Sequence, residues 1–121
     1  METDFFCNIE TMNSNSPELN ADGFATFNYM TATGVITNGS VYIRNDINQT
    51  LRSSVILEEV YQILGPTTDT LIREDSIIYQ YGDALELSKI DKIIIAMLYN
   101  KNITYGMDTV KTEEVIRKIY Y

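Results

Sequence analysis

The 121 residues fit one domain, long enough for a core but not for two. Apolar residues at 45% and charged residues at 21% are ordinary globular composition, which excludes wholesale disorder. A formal charge of -8 with no Lys/Arg-rich run excludes nucleic acid and anionic membranes as favoured partners, because both recruit clustered cations.

Met1-Glu2-Thr3-Asp4 is acidic where a secretory signal is basic, and no apolar run approaches membrane-spanning length. The expectation is a chain with neither signal peptide nor transmembrane segment, made without a signal or trimmed from an exported bacterial protein. Residues 5–9 predict a short strand, and residues 13–17, rich in Asn and Ser before Pro17, predict a loop. Cys7 is the single cysteine; with no histidine to activate it, it reads as a small hydrophobe rather than a nucleophile. Residues 24–30 predict a strand, and the threonine-rich stretch around Gly34 a turn. Residues 40–44 predict the second clear strand, with Val41 and Ile43 on one face and Tyr42 on the other.

From about Gln49 the apolar period changes from two to near four. Leu51, Val55, Ile56, Val60, Ile63 and Leu64 form one stripe, residues 45–48 offer caps, and Gly65-Pro66 ends the helix. Glu59 falls inside the edge of that stripe, between Val55 and Ile63, while Glu58 and Gln62 stand one turn apart beside it. These three are the one polar cluster in the chain that looks like a site. Residues 67–75 predict a loop, residues 76–79 a short apolar step, and Gly82-Asp83 a turn. Ser88 and Asp91 form a capping-box-like start for a helix over residues 89–99, with Ile90, Ile93, Ile94, Met97 and Leu98 spaced for burial. A last helix begins at about Thr109, with Val110, Val115, Ile116 and Ile119 on its apolar side. Asn38, Asn48 and Asn102 head Asn-x-Ser/Thr triplets, which matter only in a eukaryotic secreted protein.

In zincin metalloproteases, His-Glu-x-x-His on a helix places two imidazoles one turn apart on zinc, with the glutamate as general base. Glu58-Glu59-Val60-Tyr61-Gln62, followed by Ile63-Leu64-Gly65, resembles that helix with its ligands replaced. Ser76-Ile77-Ile78-Tyr79 looks like the turn under the zinc in metzincins, with Ile78 at the methionine position. Residues 87–99, from Leu87-Ser88 through Asp91 to Leu98-Tyr99, look like the C-terminal helix of matrixin-type proteases. With Gly106-Met107 following, residues 34–107 most resemble an uncharacterised bacterial family of zincin-like domains in which Glu-Glu-x-x-Gln replaces the metal motif. The resemblance implies one α+β domain over residues 1–121: a mixed sheet packed on a central helix, then two further helices. It also implies a helix before the central one, for which residues 1–44 offer no candidate. The back of the sheet is therefore expected to be covered by a neighbouring chain or a further N-terminal region.

With no histidine in the chain, the resemblance implies a catalytically inactive, protease-like binding or structural module without metal or cofactor. Two carboxylates and an amide suit calcium better than zinc, yet one helix cannot supply the six or more oxygens calcium takes. A structural reading holds Glu59 in a partly buried hydrogen-bond network, with amides of the Ile77-Ile78 turn or a tyrosine hydroxyl as partners, and has Glu58 and Gln62 cap loops that cross the helix. A functional reading makes the three a polar floor for a peptide or small ligand. Tyr79 and Tyr81 follow the turn, where metzincin relatives place a tyrosine near the reacting carbonyl. Tyr42 joins the site if residues 40–44 are the edge strand above the cleft, where free backbone groups pair with an extended peptide as substrates do in zincins. The candidate binding residues are thus Glu58, Glu59, Gln62, Tyr79 and Tyr42. Glu59 is the candidate catalytic residue of the alternative, a hydrolase using an unconventional metal or none. A third expectation is a purely structural subunit of a homo-oligomer.

Overall fold

The computed structural model describes residues 6–12 and 22–120, so the loop expected at residues 13–17 lies outside the described residues. The fold is α+β. Strands β1 (Phe6–Met12), β2 (Gly23–Tyr29) and β3 (Ile36–Arg44) precede helices α1 (Gln49–Ile63), α2 (Lys89–Leu98) and α3 (Thr109–Tyr120). The sheet is mixed and ordered β1-β3-β2, with β1 parallel and β2 antiparallel to β3.

The placement of β3 overturns one expectation. Residues 40–44 are not an edge but the second half of the central strand, hydrogen-bonded to β1 on one side and β2 on the other. The strand also starts earlier than its apolar residues suggest, at Ile36. Its polar opening stays in the ladder because Asn28 Nδ2 donates to Asn38 Oδ1 at 2.7 Å and Thr37 Oγ1 donates to the Asn28 carbonyl at 3.2 Å. A bulge between Asn28 and Tyr29 absorbs the extra residue. The turn is confined to the residues before it, where Gly34 has a φ of 72° and its N–H donates to the Met30 carbonyl.

Gly39 has a packing role rather than a turning one. A Cβ there would lie 2.9 Å from two carbons of Ile63, so the bare backbone lets α1 settle on the sheet. Val41 and Ile43 on the same face are fully buried, and with Ile36, Val55 and Ile63 they form the first core. Asn48 caps α1 by accepting from the Leu51 N–H at 2.8 Å, and Gly65, at a φ of 143°, turns the chain away after Leu64.

A second core lies on another flank of α1. Tyr61 is buried there against Ile77 and Ile78 of the apolar step, with Leu57, Leu87 and Ile95 packed around them. Ile95, absent from the periodic reading of α2, is the α2 residue that meets this core. The α2 residues spaced for burial are only half-buried, and no residue of α3 is buried. Val110 in particular is 69% exposed, on the opposite side of α3 from Val115 and Ile116. No helix among the described residues is long and apolar enough to cross a membrane. No helix precedes β3 among the described residues, and the far face of the sheet carries Asn8, Glu10, Thr26, Ser40 and a stacked Phe24–Tyr42 pair with ring centroids 4.8 Å apart.

Candidate binding site on the central helix

Glu58, Glu59 and Gln62 occupy the last turns of α1 and are all half-buried. Being four residues apart, Glu58 and Gln62 share one side of the helix, as their spacing predicts. Gln62 is anchored: its Nε2 donates to Asp69 Oδ1 at 2.6 Å, tying the loop after α1 back across the helix. The next residue, Thr70, bridges to the apolar step, donating to the Ile78 carbonyl at 2.9 Å and accepting from the Gln80 N–H at 3.0 Å.

The two glutamates have no such anchor. Among the described residues neither has a hydrogen-bond or ion-pair partner; the basic side chains in ion pairs are engaged elsewhere, as in Arg44–Asp46 and Arg73–Asp75. Burial pushes Glu58 from 4.5 up to about 7, helped by the charges of Glu59, Asp69 and Asp22. Burial and the charge of Asp69 push Glu59 up to about 7 as well. Asp22, just before β2, is thus brought near Glu58 by the packing of α1 on that strand. Two further carboxylates thus act on the pair by their charge, Asp69 on both glutamates and Asp22 on Glu58, and nothing in the sequence periodicity singles them out.

The hydrogen-bond network expected around Glu59 exists, but it belongs to Asp91. That carboxylate is fully buried and accepts from Ser76 Oγ at 2.5 Å, the Ile77 N–H at 2.8 Å and the Ser88 N–H at 2.9 Å. Tyr61 donates its hydroxyl to the Asp91 carbonyl at 2.9 Å, and burial together with the Asp91 charge holds the phenol at about 12, firmly a donor. The reason lies in position: Glu59 emerges at the rim of the stripe, whereas Asp91, in the first turn of α2, is set against Ser76 and Ile77 of the apolar step. The capping box in the sequence marked Asp91 as a cap; its second task, holding the apolar step, had no local signal.

Tyr42 does not join the site. Val41 and Ile43 face α1, so Tyr42 points to the far face of the sheet, where it stacks on Phe24. Tyr79 follows the apolar step and packs edge-on against Tyr81, with centroids 5.9 Å apart. It is linked to Gln62 through the Asp69–Thr70 strap. A cavity of about 230 Å³ opens elsewhere, among Phe27, Tyr29, Ile36, Leu98 and Tyr105, and none of the three α1 residues lines it.

The donor set does not fit the zinc that active zincin metalloproteases hold. The chain has no imidazole, Cys7 lies on β1, Gln62 is engaged with Asp69, and no group of three His, Cys, Asp or Glu among the described residues is arranged to hold a metal ion. What the arrangement offers is two protonatable carboxyls in a poorly solvated rim, beside an edge strand. Comparison with known proteins gives a family: the model described as "Protein of unknown function (DUF2927)" matches residues 3–118. No curated protein and no solved structure matches.

Proposed function

The chain belongs to the DUF2927 family, and we propose that it is a catalytically inactive, protease-like binding or structural module on a zincin-like frame. The order of elements supports the frame: a mixed sheet, a helix across it, a buried turn beneath that helix, then α2. Ile78, at the position of the metzincin methionine, is buried in that turn near Tyr61. The observation that carries the loss of activity is the donor set on α1, where Glu58 and Gln62 stand at the ligand positions and Gln62 is held by Asp69.

Binding on this reading uses β2. It is the antiparallel edge strand next to α1, and its outer row of backbone groups has no strand partner among the described residues. An extended peptide added there passes the rim formed by Asp22, Glu58 and Glu59. The same reading makes the domain part of an exported bacterial protein or a larger bacterial assembly. One observation favours the alternative, a hydrolase: Glu59, at about 7, has the proton affinity of a general base working near neutrality.

Two measurements separate these readings. On the inactive reading, added Zn²⁺ leaves Tm unchanged, because a ligand that does not bind the folded state cannot stabilise it. Peptide hydrolysis by the wild type then equals that of Glu59→Gln. Stoichiometric metal in the purified protein together with Glu59-dependent turnover would establish the hydrolase instead.

A further inference from the structure

The cavity of about 230 Å³ that the α1 carboxylates do not line is walled on one side by β2 itself, through Phe27 and Tyr29. Ile36 and Leu98 add aliphatic surface, and Tyr105 meets Tyr29 edge-on with ring centroids 6.4 Å apart. Two glycines shape it: a Cβ at Gly34 would collide with the Tyr105 ring, and one at Gly65 would lie 2.8 Å from Leu98 Cδ1. No charged side chain lines it among the described residues, and Tyr29 and Tyr105 are 48% and 52% exposed, so it opens to solvent at its tyrosines. An apolar cavity of about 150 Å³ already holds benzene, so this one has room for a ring-sized apolar group.

The backbone of β2 offers the adjoining half of a site. The Arg44 N–H donates to the carbonyl of Asp22 directly opposite it, at 3.0 Å, so the alternation of an antiparallel ladder turns the N–H and C=O groups of Phe24, Thr26 and Asn28 toward β3. Those of Gly23, Ala25 and Phe27 face outward, and these are the residues on the α1 side of the sheet, where Ala25 and Phe27 pack on the first core and Gly23 lies against Val55. A strand added to β2 pairs with these three and sets the side chains opposite them on the same side. The side chain opposite Phe27 stands beside the cavity. The one opposite Gly23, about 13 Å further along, stands next to Asp22 and to Val55, one helical turn before Glu58 and Glu59. Neither glutamate has a partner among the described residues, and a cation is their complement.

We propose that the segment bound at β2 is an antiparallel strand carrying a large apolar residue, best an aromatic one, and four residues later a Lys or Arg: the ring fills the cavity beside Phe27, and the cation reaches the rim of Asp22, Glu58 and Glu59. The assignment rests on β2 being the peptide-binding edge.

Fluorescence anisotropy of the full chain with the labelled peptide Ser-Phe-Thr-Ser-Thr-Lys-Ser, at pH 8 where both glutamates are charged, tests this. Replacing the peptide's Phe by Ala weakens binding about tenfold. Replacing its Lys by Gln weakens binding less, and by an amount that salt reduces. Thr67→Phe, at an exposed position bordering the cavity, plugs it and abolishes the difference between the Phe and Ala peptides, while Glu58→Gln/Glu59→Gln abolishes the difference between the Lys and Gln peptides. Ala25→Pro removes an outward N–H, leaves the ladder to β3 intact, and weakens both the Phe and the Ala peptide. Equal binding of the Phe and Ala peptides by the wild type, or a difference that survives Thr67→Phe, overturns the cavity assignment and leaves β2 as a peptide edge. Binding of no peptide at the highest concentration reached overturns both. A Phe-dependent affinity unchanged by Ala25→Pro puts the ring in the cavity without an added strand, which also overturns the proposal.

Discussion

Asp91 and Glu59 show how differently two carboxylates of one chain are held. Asp91 has no ion-pair partner among the described residues, and its burial is tolerated because three donors converge on its two oxygens. Removing it leaves the Ile77 and Ser88 amides without their acceptor as well as opening a gap. Asp91→Ala should therefore destabilise the domain by about 3–5 kcal/mol, the range for breaking a buried polar network. Asp91→Asn is the informative contrast. Its amide oxygen can take both N–H groups while its NH₂ turns to the Ser76 hydroxyl, which accepts, so a loss of only about 1–2 kcal/mol is expected from the weaker acceptor. Urea unfolding of the two variants measures the difference; equal losses would mean that an amide keeps none of the bonds the carboxylate makes.

At the scale of elements, the contact between α1 and the sheet depends on the absence of side chains as much as on their presence. Gly39→Ala inserts a methyl 2.9 Å from Ile63 and should destabilise the fold by about 1–3 kcal/mol through overpacking. The compensating change Ile63→Val in the same chain should recover part of that loss in thermal melts, and no recovery would place the strain elsewhere. The same glycine explains what the sequence conceals. Asn38-Gly39 has the composition of a turn, because a glycine that admits a neighbouring element cannot be told locally from one that reverses the chain. The helices and their ends were legible, since Asn48, Gly65 and the Ser88–Asp91 box are signals within a few residues of the ends they mark. Strand order was not: whether β3 lies at the edge or the centre depends on its pairing with β1, more than thirty positions upstream, and no local pattern records it. Tyr42 is out of the site on that count and also because its side chain points away from α1.

For the molecule as a whole, the uncompensated rim on α1 couples stability to pH. The unfolded chain releases the Glu58 and Glu59 protons from about 4.5 upward, whereas the folded chain keeps them to about 7. Between those values the folded state binds more protons, so stability falls as pH rises; below 4.5 this penalty is absent, and above 7 it is complete. The exposed Arg44–Asp46 and Arg73–Asp75 pairs act in the opposite sense at lower pH, but screening keeps such contributions small. Tm should accordingly be higher at pH 5 than at pH 7.5, and Glu58→Gln/Glu59→Gln should flatten that slope; an unchanged slope in the double variant would assign it to other groups. The α+β architecture is the one the resemblance implied, yet α1 joins two cores where the sequence showed one stripe, because Tyr61 reads as a flank residue until the apolar step closes over it. That closure leaves the second core without a separable part. One residue, Asp91, fastens the step by its side chain, starts α2, and receives Tyr61 of α1 at its carbonyl. Opening any of the three segments breaks a bond that the others share, so this side of the molecule opens as one cooperative unit or stays shut.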